Sequence, residues 1–296
     1  MAIDLAVIPV AGQGTRLLPL TKSQPKEMLP AGRKPAIQHI VEELAHCGLR
    51  RLLFITSAAK TAIENHFQPD ARLLASLRAT GKAELAQEVD LEHLGLEFSY
   101  LRQGSPLGLG HAVLCAQPVV QDRAFVVALG DCIIGLNGQS RLVARMVAEF
   151  ENARADAAIA FDEVPPQEVS QYGIAKPRVQ GQAVFELADI VEKPAVADAP
   201  STLAVAARYV FSPEIFRFLA TTPPGKGGEI QLTDAVRALI KKGGKVLGVR
   251  LTPADRRLDV GNFESYFPLF CEFALADPRY GPGLRAHLKR VLAEES

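Results

Sequence analysis

A glycine-rich turn followed by cations is the first place where residue types and spacing could do chemistry. Ala11-Gly12-Gln13-Gly14-Thr15-Arg16 comes directly after an apolar run, with Lys22 and Lys26 close behind. Glycines let a backbone approach a phosphate or a base closely, and successive N–H groups can form an anion-binding nest. Arg forks onto phosphate oxygens and Lys supplies a mobile point charge, a combination suited to a polyphosphate. Prolines at 19, 25 and 30 fix an extended path that holds those cations in place. Neither common phosphate loop is present: the dinucleotide fingerprint needs a small residue where Leu17 stands, and the P-loop ends in Gly-Lys-Ser/Thr. A bare Gly-x-Gly is otherwise an ordinary tight turn, and scattered Lys and Arg are otherwise a solvated loop.

Asp131 follows the apolar stretch Ala124 to Leu129, which puts it at the carboxyl end of a strand, where α/β sheets open their ligand crevice. A carboxylate there either holds Mg²⁺, which takes one or two carboxylates plus substrate phosphates, or caps a helix. No Ser/His/Asp or Cys/His constellation stands out. His111, after two glycines and at an expected helix start, reads as structural, and the other five histidines lack metal-ligand spacing.

Apolar runs alternating with helix-length segments must position these groups, the pattern of parallel strands joined by helical crossovers. Strands are expected at Ile3–Val10, Arg51–Thr56, Leu96–Leu101, Ala124–Leu129 and Asp156–Phe161. Helices are expected at Pro35–Cys47, Lys60–Phe67, Asp70–Leu85, Leu109–Ala116 and Ser140–Asn152. Pro9 is awkward in a central strand because it has no N–H to donate. The second half adds strand-like runs at Gly173–Pro177, Val184–Val191, Ala204–Phe211 and Val246–Leu251, with helices at Pro213–Ala220 and Leu232–Lys242. Two amphipathic helices, broken near Asp277 to Pro282, end the chain and either cap the core or form an oligomer face.

Composition limits the partners. The 33 basic and 33 acidic residues cancel, which argues against a nucleic-acid surface, yet residues 1–34 hold a local excess of three positive charges. The longest apolar stretch is too short for a membrane span, and no secretory leader is evident. Cys47, Cys115, Cys132 and Cys271 form no C-x-x-C pair and read as buried thiols in a reducing, cytoplasmic compartment.

The series Ala6-Val7-Ile8-Pro9-Val10-Ala11-Gly12-Gln13-Gly14-Thr15-Arg16, Pro25-Lys26-Glu27-Met28-Leu29-Pro30, Arg102-Gln103-Gly104 and Gly108-Leu109-Gly110-His111-Ala112-Val113 resembles bacterial UTP–glucose-1-phosphate uridylyltransferases. Gly130-Asp131, Tyr172-Gly173, Glu192-Lys193-Pro194, Arg208-Tyr209, Glu229-Ile230-Gln231-Leu232-Thr233-Asp234-Ala235 and Asp259-Val260-Gly261-Asn262 continue it in the family's order. The resemblance implies an α/β, Rossmann-like, mostly parallel mixed sheet flanked by helices, with small β and C-terminal helical additions. It implies a catalytic domain over 1–262, nucleotide part first and sugar part second, then a helical segment, 263–296, for capping or oligomerisation. UTP and glucose 1-phosphate would react to UDP-glucose and pyrophosphate.

Because the attacking sugar-phosphate oxygen is already ionised at neutral pH, the task is alignment and charge neutralisation, and no base is required to generate the nucleophile. By the same resemblance Ala11, Gly12, Gly14, Thr15, Gln103 and Gly108 would bind the nucleotide. Gln103 would both donate to and accept from uracil. Arg16 would hold the departing phosphates, and Lys26 and Lys193 would neutralise charge at the reacting centre. Gly173 would let the sugar approach the backbone, Glu192 would take its hydroxyls, and Glu229 would order a loop over it or merely start a helix. Asp131 and Asp259 would ligate Mg²⁺. A homo-dimer or tetramer is expected, without nucleic acid or membrane. Gln13 and Cys132 depart from the commonest family pattern, and neither removes a needed charge. The same chemistry with dTTP, CTP or another sugar phosphate, and a non-catalytic regulatory paralogue, stand as alternatives.

Overall fold

The computed structural model describes residues 3–136 and 139–294. Residues 1, 2, 137, 138, 295 and 296, which belong to the two spans expected above, lie outside the described residues. Nine strands form the main sheet: β1 (Leu5–Pro9), β2 (Arg51–Thr56), β3 (Glu97–Arg102), β4 (Phe125–Ala128), β5 (Ala157–Glu163), β6 (Gly173–Pro177), β7 (Val184–Glu192), β8 (Leu203–Phe211) and β9 (Val246–Arg250). Their spatial order is β3-β2-β1-β4-β8-β5-β9-β7-β6. The helices are α1 (Ala36–His46), α2 (Thr61–Phe67), α3 (Ala71–Ala79), α4 (Ala83–Val89), α5 (Leu109–Cys115), α6 (Gln117–Val120), α7 (Leu142–Ala153), α8 (Ile215–Thr221), α9 (Leu232–Lys241), α10 (Phe263–Ala276) and α11 (Gly281–Glu294).

Near-continuous apolar strands are what a sheet covered on both faces requires. In β1, Ala6 and Ile8 enter one core, and Leu5 and Val7 enter the other. Strands β2 and β4 alternate the same way, with Phe54 and Val126 on one side and Leu53 and Val127 on the other. Each fully buried Val, Leu, Ile or Phe contributes about 1.5–3 kcal/mol relative to exposure. Helix α1 presents Ile37, Ile40, Val41 and Leu44 to the first core, one face at helical spacing.

The strands β1 to β4 pair in parallel as expected, but β8 lies antiparallel between β4 and β5. Beyond it β6 pairs with both β7 and β8, so the second half of the sheet curls back on itself. Pro9 is tolerated because the ladder from β1 to β4 involves only Ala6 and Val7. The expected helix over Asp70–Leu85 is two helices, divided at Thr80 to Lys82 where Gly81 turns at φ +73°. The cysteines are not uniformly buried: Cys132 is, Cys47 and Cys115 are half-buried, and Cys271 is exposed on α10. Apolar residues on a helix that is covered along only one face need not reach the core. Helix α10 does supply core residues, Tyr266, Leu269 and Phe273, whereas α11 lies largely exposed.

Candidate active site

Strand β1 delivers the chain to the glycine turn, where Val10 N–H donates to Ile55 O at 2.9 Å and extends the β1–β2 ladder by one step. Ala11 is half-buried and Gly12 exposed, with open space where a Gly12 side chain would stand. Gly14 O accepts from Leu17 N–H at 3.0 Å and from the Thr21 hydroxyl at 2.8 Å. Leu17 is fully buried beneath this short turn, so Thr15 and Arg16 are left outward. The Arg16 guanidinium lies near Gly261, and a Cβ there would be 3.8 Å from Nη2. The loop and the Asp259 segment therefore face each other.

Lys26 begins the next turn and forms an ion pair with Asp131 across 105 residues of sequence. Burial alone would lower the Lys26 pKa, but Asp131 and Glu27 overcome it and hold it above the ordinary lysine value. Burial alone would raise Asp131, but the Lys26 charge and hydrogen bond, with Arg16 behind them, hold the carboxyl below the usual aspartate range. Directly behind this pair, buried Glu27 accepts from Lys60 at 2.7 Å. That second pair anchors the turn that presents Lys26. Glu27 lies within residues 25–30, where nothing local marks it as an ion-pair partner, and Lys60, an isolated lysine before α2, carries no sequence signal.

Asp131 sits beyond the carboxyl end of β4, as expected. A two-stranded ribbon that the sequence did not suggest, Cys132–Ile134 against Arg257–Asp259, joins it to the second aspartate. Cys132 is the register partner of Asp259, and Val260 N–H donates to Asp131 O at 2.8 Å. Asp259 accepts from Arg257 at 3.2 Å, and the Arg257 guanidinium lies 4.4 Å from the centre of the Tyr172 ring. Beneath the ribbon, Glu43 and Arg208 form a fully buried ion pair at 2.6 Å, and Arg208 also donates to Cys132 O at 2.9 Å and Ala207 O at 3.1 Å. Ala207 occupies a bulge of β8 with φ +58°, and its carbonyl accepts from Leu129 N–H at 3.1 Å. Among the described residues no cluster of three or more His, Cys, Asp and Glu side chains could cage a metal. Two neighbouring half-buried carboxylates suit a cation that completes its shell with water and phosphate oxygens.

Gln103 follows β3, and its backbone N–H donates to Thr56 O at 2.8 Å. Its side-chain Nε2 lies 3.2 Å from Gly108 O and 2.9 Å from His111 Nδ1. In this arrangement the amide N–H groups face Gly108 O and His111 Nδ1. Gly108 adopts φ +100°, and a Cβ there would be 2.7 Å from Glu229 Cβ, so glycine is required twice over. Ile230 N–H donates to Leu107 O and Gly110 N–H to Ile230 O, both at 2.8 Å. Glu229 is therefore held beside Gly108 and is exposed, three residues before α9 begins.

Gly173 and Glu192 are register partners of β6 and β7. The space of a Gly173 Cβ is taken by Thr233 Oγ1 at 2.9 Å and Glu192 Oε2 at 3.3 Å. Close packing of those two side chains is thus a reason for glycine that does not involve a sugar. Lys193 N–H donates to Tyr172 O at 2.9 Å, its backbone has φ +45°, and its Nζ lies 3.3 Å from Glu192 Oε1. A left-handed non-glycine residue persists where its surroundings over-determine it, and such strain concentrates at sites. Burial holds Tyr209 protonated, with Glu192, Cys132 and Asp131 adding to the effect, so this phenol feels both carboxylate groups. Through Tyr172, Arg257 and Tyr209 the Glu192–Lys193 region meets the Asp131–Asp259 region.

The family model described as nucleotidyl transferase matches residues 5–274. The chain belongs to that nucleotidyl transferase family. It is 41% identical over 291 residues to the UTP–glucose-1-phosphate uridylyltransferase YngB of Bacillus subtilis, covering 98% of this chain and 96% of that one. It is also 41% identical over 261 residues to a putative UTP–glucose-1-phosphate uridylyltransferase of Methanocaldococcus jannaschii, covering 88% of this chain and 89% of the relative. The structure of a UTP-bound UGPase from Acinetobacter baumannii superimposes with a TM-score of 0.87 at 35% identity, covering 97% of this chain and 98% of the other. The likeness to the solved structure extends over nearly the whole length of both chains. No described helix is long and apolar enough to cross a membrane.

Proposed function

We propose that this protein joins UTP and glucose 1-phosphate into UDP-glucose and pyrophosphate. The observation that carries this is the direct pairing of Lys26 with Asp131 between the glycine loop and the Glu192–Lys193 region. It supplies cation and carboxylate where two anions would have to meet. The similarity in sequence to named uridylyltransferases and in structure to a UGPase complexed with UDP-glucose supports the same reading. In the reaction a sugar-phosphate oxygen attacks the α-phosphorus of UTP, that P–O bond forms, and the bond to pyrophosphate breaks.

In this reading Lys193 neutralises the incoming phosphate, and Glu192 accepts hydrogen bonds from glucose hydroxyls beside Gly173. Arg16 and Thr15 hold the phosphates that depart, with Gly14 and Gly12 admitting them to the backbone. Lys26 turns from Asp131 toward the reacting phosphate. Ala11, Gly108 and Gln103 surround uracil, and Glu229 stands at the mouth of that pocket. Asp131 and Asp259 would hold a divalent cation, Mg²⁺, which when bound supplies charge stabilisation to the phosphates. Residues 1–262 form the catalytic domain, and 263–296 cover it and contribute to a homo-oligomer. Four free thiols suit a cytoplasmic protein.

The test is pyrophosphate release from purified protein with glucose 1-phosphate and each nucleoside triphosphate. UTP is expected to give the highest kcat/KM. Faster turnover with dTTP or CTP would replace the substrate assignment, and no turnover with any triphosphate would favour a regulatory paralogue.

A further inference from the structure

We propose that His111 is a specificity-determining positioning residue: it fixes which end of the Gln103 amide faces the base. It thereby favours a base with an imide N–H, uracil or thymine, over cytosine. This rests on the placement of the base against Gln103 given above.

The argument is one of hydrogen-bond supply. A side-chain amide has two N–H donors and one carbonyl oxygen. Gly108 O can only accept, so the 3.2 Å contact identifies the atom facing it as Nε2. The second N–H meets His111 Nδ1 at 2.9 Å, which must then accept, leaving the imidazole neutral with its proton on Nε2. Both donors of Gln103 are spent within the protein. Among the described residues nothing donates to its Oε1, so what the buried amide has left for a ligand is an acceptor.

Uracil meets an acceptor with its N3–H, whereas cytosine presents a lone pair at N3. Cytosine would set two lone pairs against each other and leave a buried acceptor unpaired, the kind of mismatch that discriminates far better than size does. The imidazole is held to this task by its element. His111 is the third residue of α5, whose start is tied to Ile230 through Gly110 N–H, and Cys115 Sγ lies 3.9 Å from Nδ1 one turn on. Without that acceptor one N–H of Gln103 is released and can turn toward cytosine.

The experiment measures kcat/KM for UTP and for CTP at saturating glucose 1-phosphate in the wild type and in Gln103→Leu, His111→Leu and His111→Asn. His111→Leu is expected to lower the UTP/CTP ratio by about tenfold or more. His111→Asn, whose Oδ1 can accept near the Nδ1 position, is expected to retain it. An unchanged ratio in Gln103→Leu would show that the base is not on Gln103, and the underlying placement would fail. A ratio that collapses in Gln103→Leu but survives in His111→Leu would keep that placement and overturn the role of His111. Equal loss of turnover with both nucleotides would mark His111 as structural and also overturn it. If His111→Leu does not fold, His111→Ala decides by the same outcomes, and failure of both to fold defeats the proposal.

Discussion

Two ion pairs meet at the adjacent residues Asp131 and Cys132 and differ in kind. Glu43–Arg208 is fully buried, and the guanidinium spends two of its three remaining donors on the carbonyls of Ala207 and Cys132. Lys26–Asp131, one residue before Cys132, retains side-chain exposures of 15% and 27%. The ammonium has further donors and the carboxylate further lone pairs that a ligand can claim. The first pair is closed and acts on backbone. The second is open, with donors and lone pairs still accessible from the cleft. Burial and saturation of hydrogen bonds, not charge type, separate the two pairs.

The largest expected effect tests the open pair. Asp131→Asn and Lys26→Met should each lower turnover by about a thousandfold while the protein still folds cooperatively, with a lowered unfolding midpoint from loss of the ion pair. Pyrophosphate release and thermal unfolding measured together would show it. Near-normal activity in either folded variant would remove Lys26–Asp131 from the chemistry.

Next in size is the closed pair. Arg208→Met leaves Glu43 buried and uncompensated and should cost about 3–5 kcal/mol of stability, much of which Glu43→Leu in the same chain should restore. Denaturant unfolding of the single and double variants reads this directly. Lys193→Ala, by contrast, should reduce kcat and raise KM for glucose 1-phosphate with stability little changed, as initial-rate kinetics would reveal.

Ala207 offers a smaller test on the architectural side. At φ +58° an L-residue is strained, and Ala207→Gly is expected to gain roughly 1 kcal/mol. Equilibrium unfolding in urea would measure the gain, and a loss would mean that the bulge does not need a left-handed residue.

Acid should distinguish the pairs last and most gently. Because Asp131 titrates below its unfolded value, its ion pair adds stability above about pH 4. That contribution disappears as pH falls through the lower, folded pKa. The difference in stability between wild type and Asp131→Asn should therefore shrink in acid, and a constant difference would contradict the assignment.

What the sequence made legible follows from how local each signal is. The runs of β1, β2 and β4 are apolar on both faces and could be read as covered strands, and the carboxyl end of β4 located Asp131. The ribbon that joins Asp131 to Asp259 has three residues per strand, too few for any periodicity. Lys60 acts only through Glu27, and the state of Gln103 depends on His111, eight residues away across a turn. The antiparallel insertion of β8 leaves no trace in a run that looks like its neighbours. Gly173 was legible as a close approach, but the crowding of its Cβ position by Thr233 and Glu192, distant in the chain, was not.

Helix α10 also has a temporal meaning. Its Asn262 caps the first turn just after Asp259, and its Tyr266 hydroxyl donates to Pro30 O at 3.2 Å, behind the turn that carries Lys26. Strands β1 to β4 can pair while the rest of the chain is still being synthesised, since all four lie before residue 129. The cleft cannot be finished then, because Val260 and Tyr266 have not yet left the ribosome. The cleft closes only once residues 260–266 have been made, so a chain interrupted before them would carry the glycine turn and Asp131 without the segment that packs behind them.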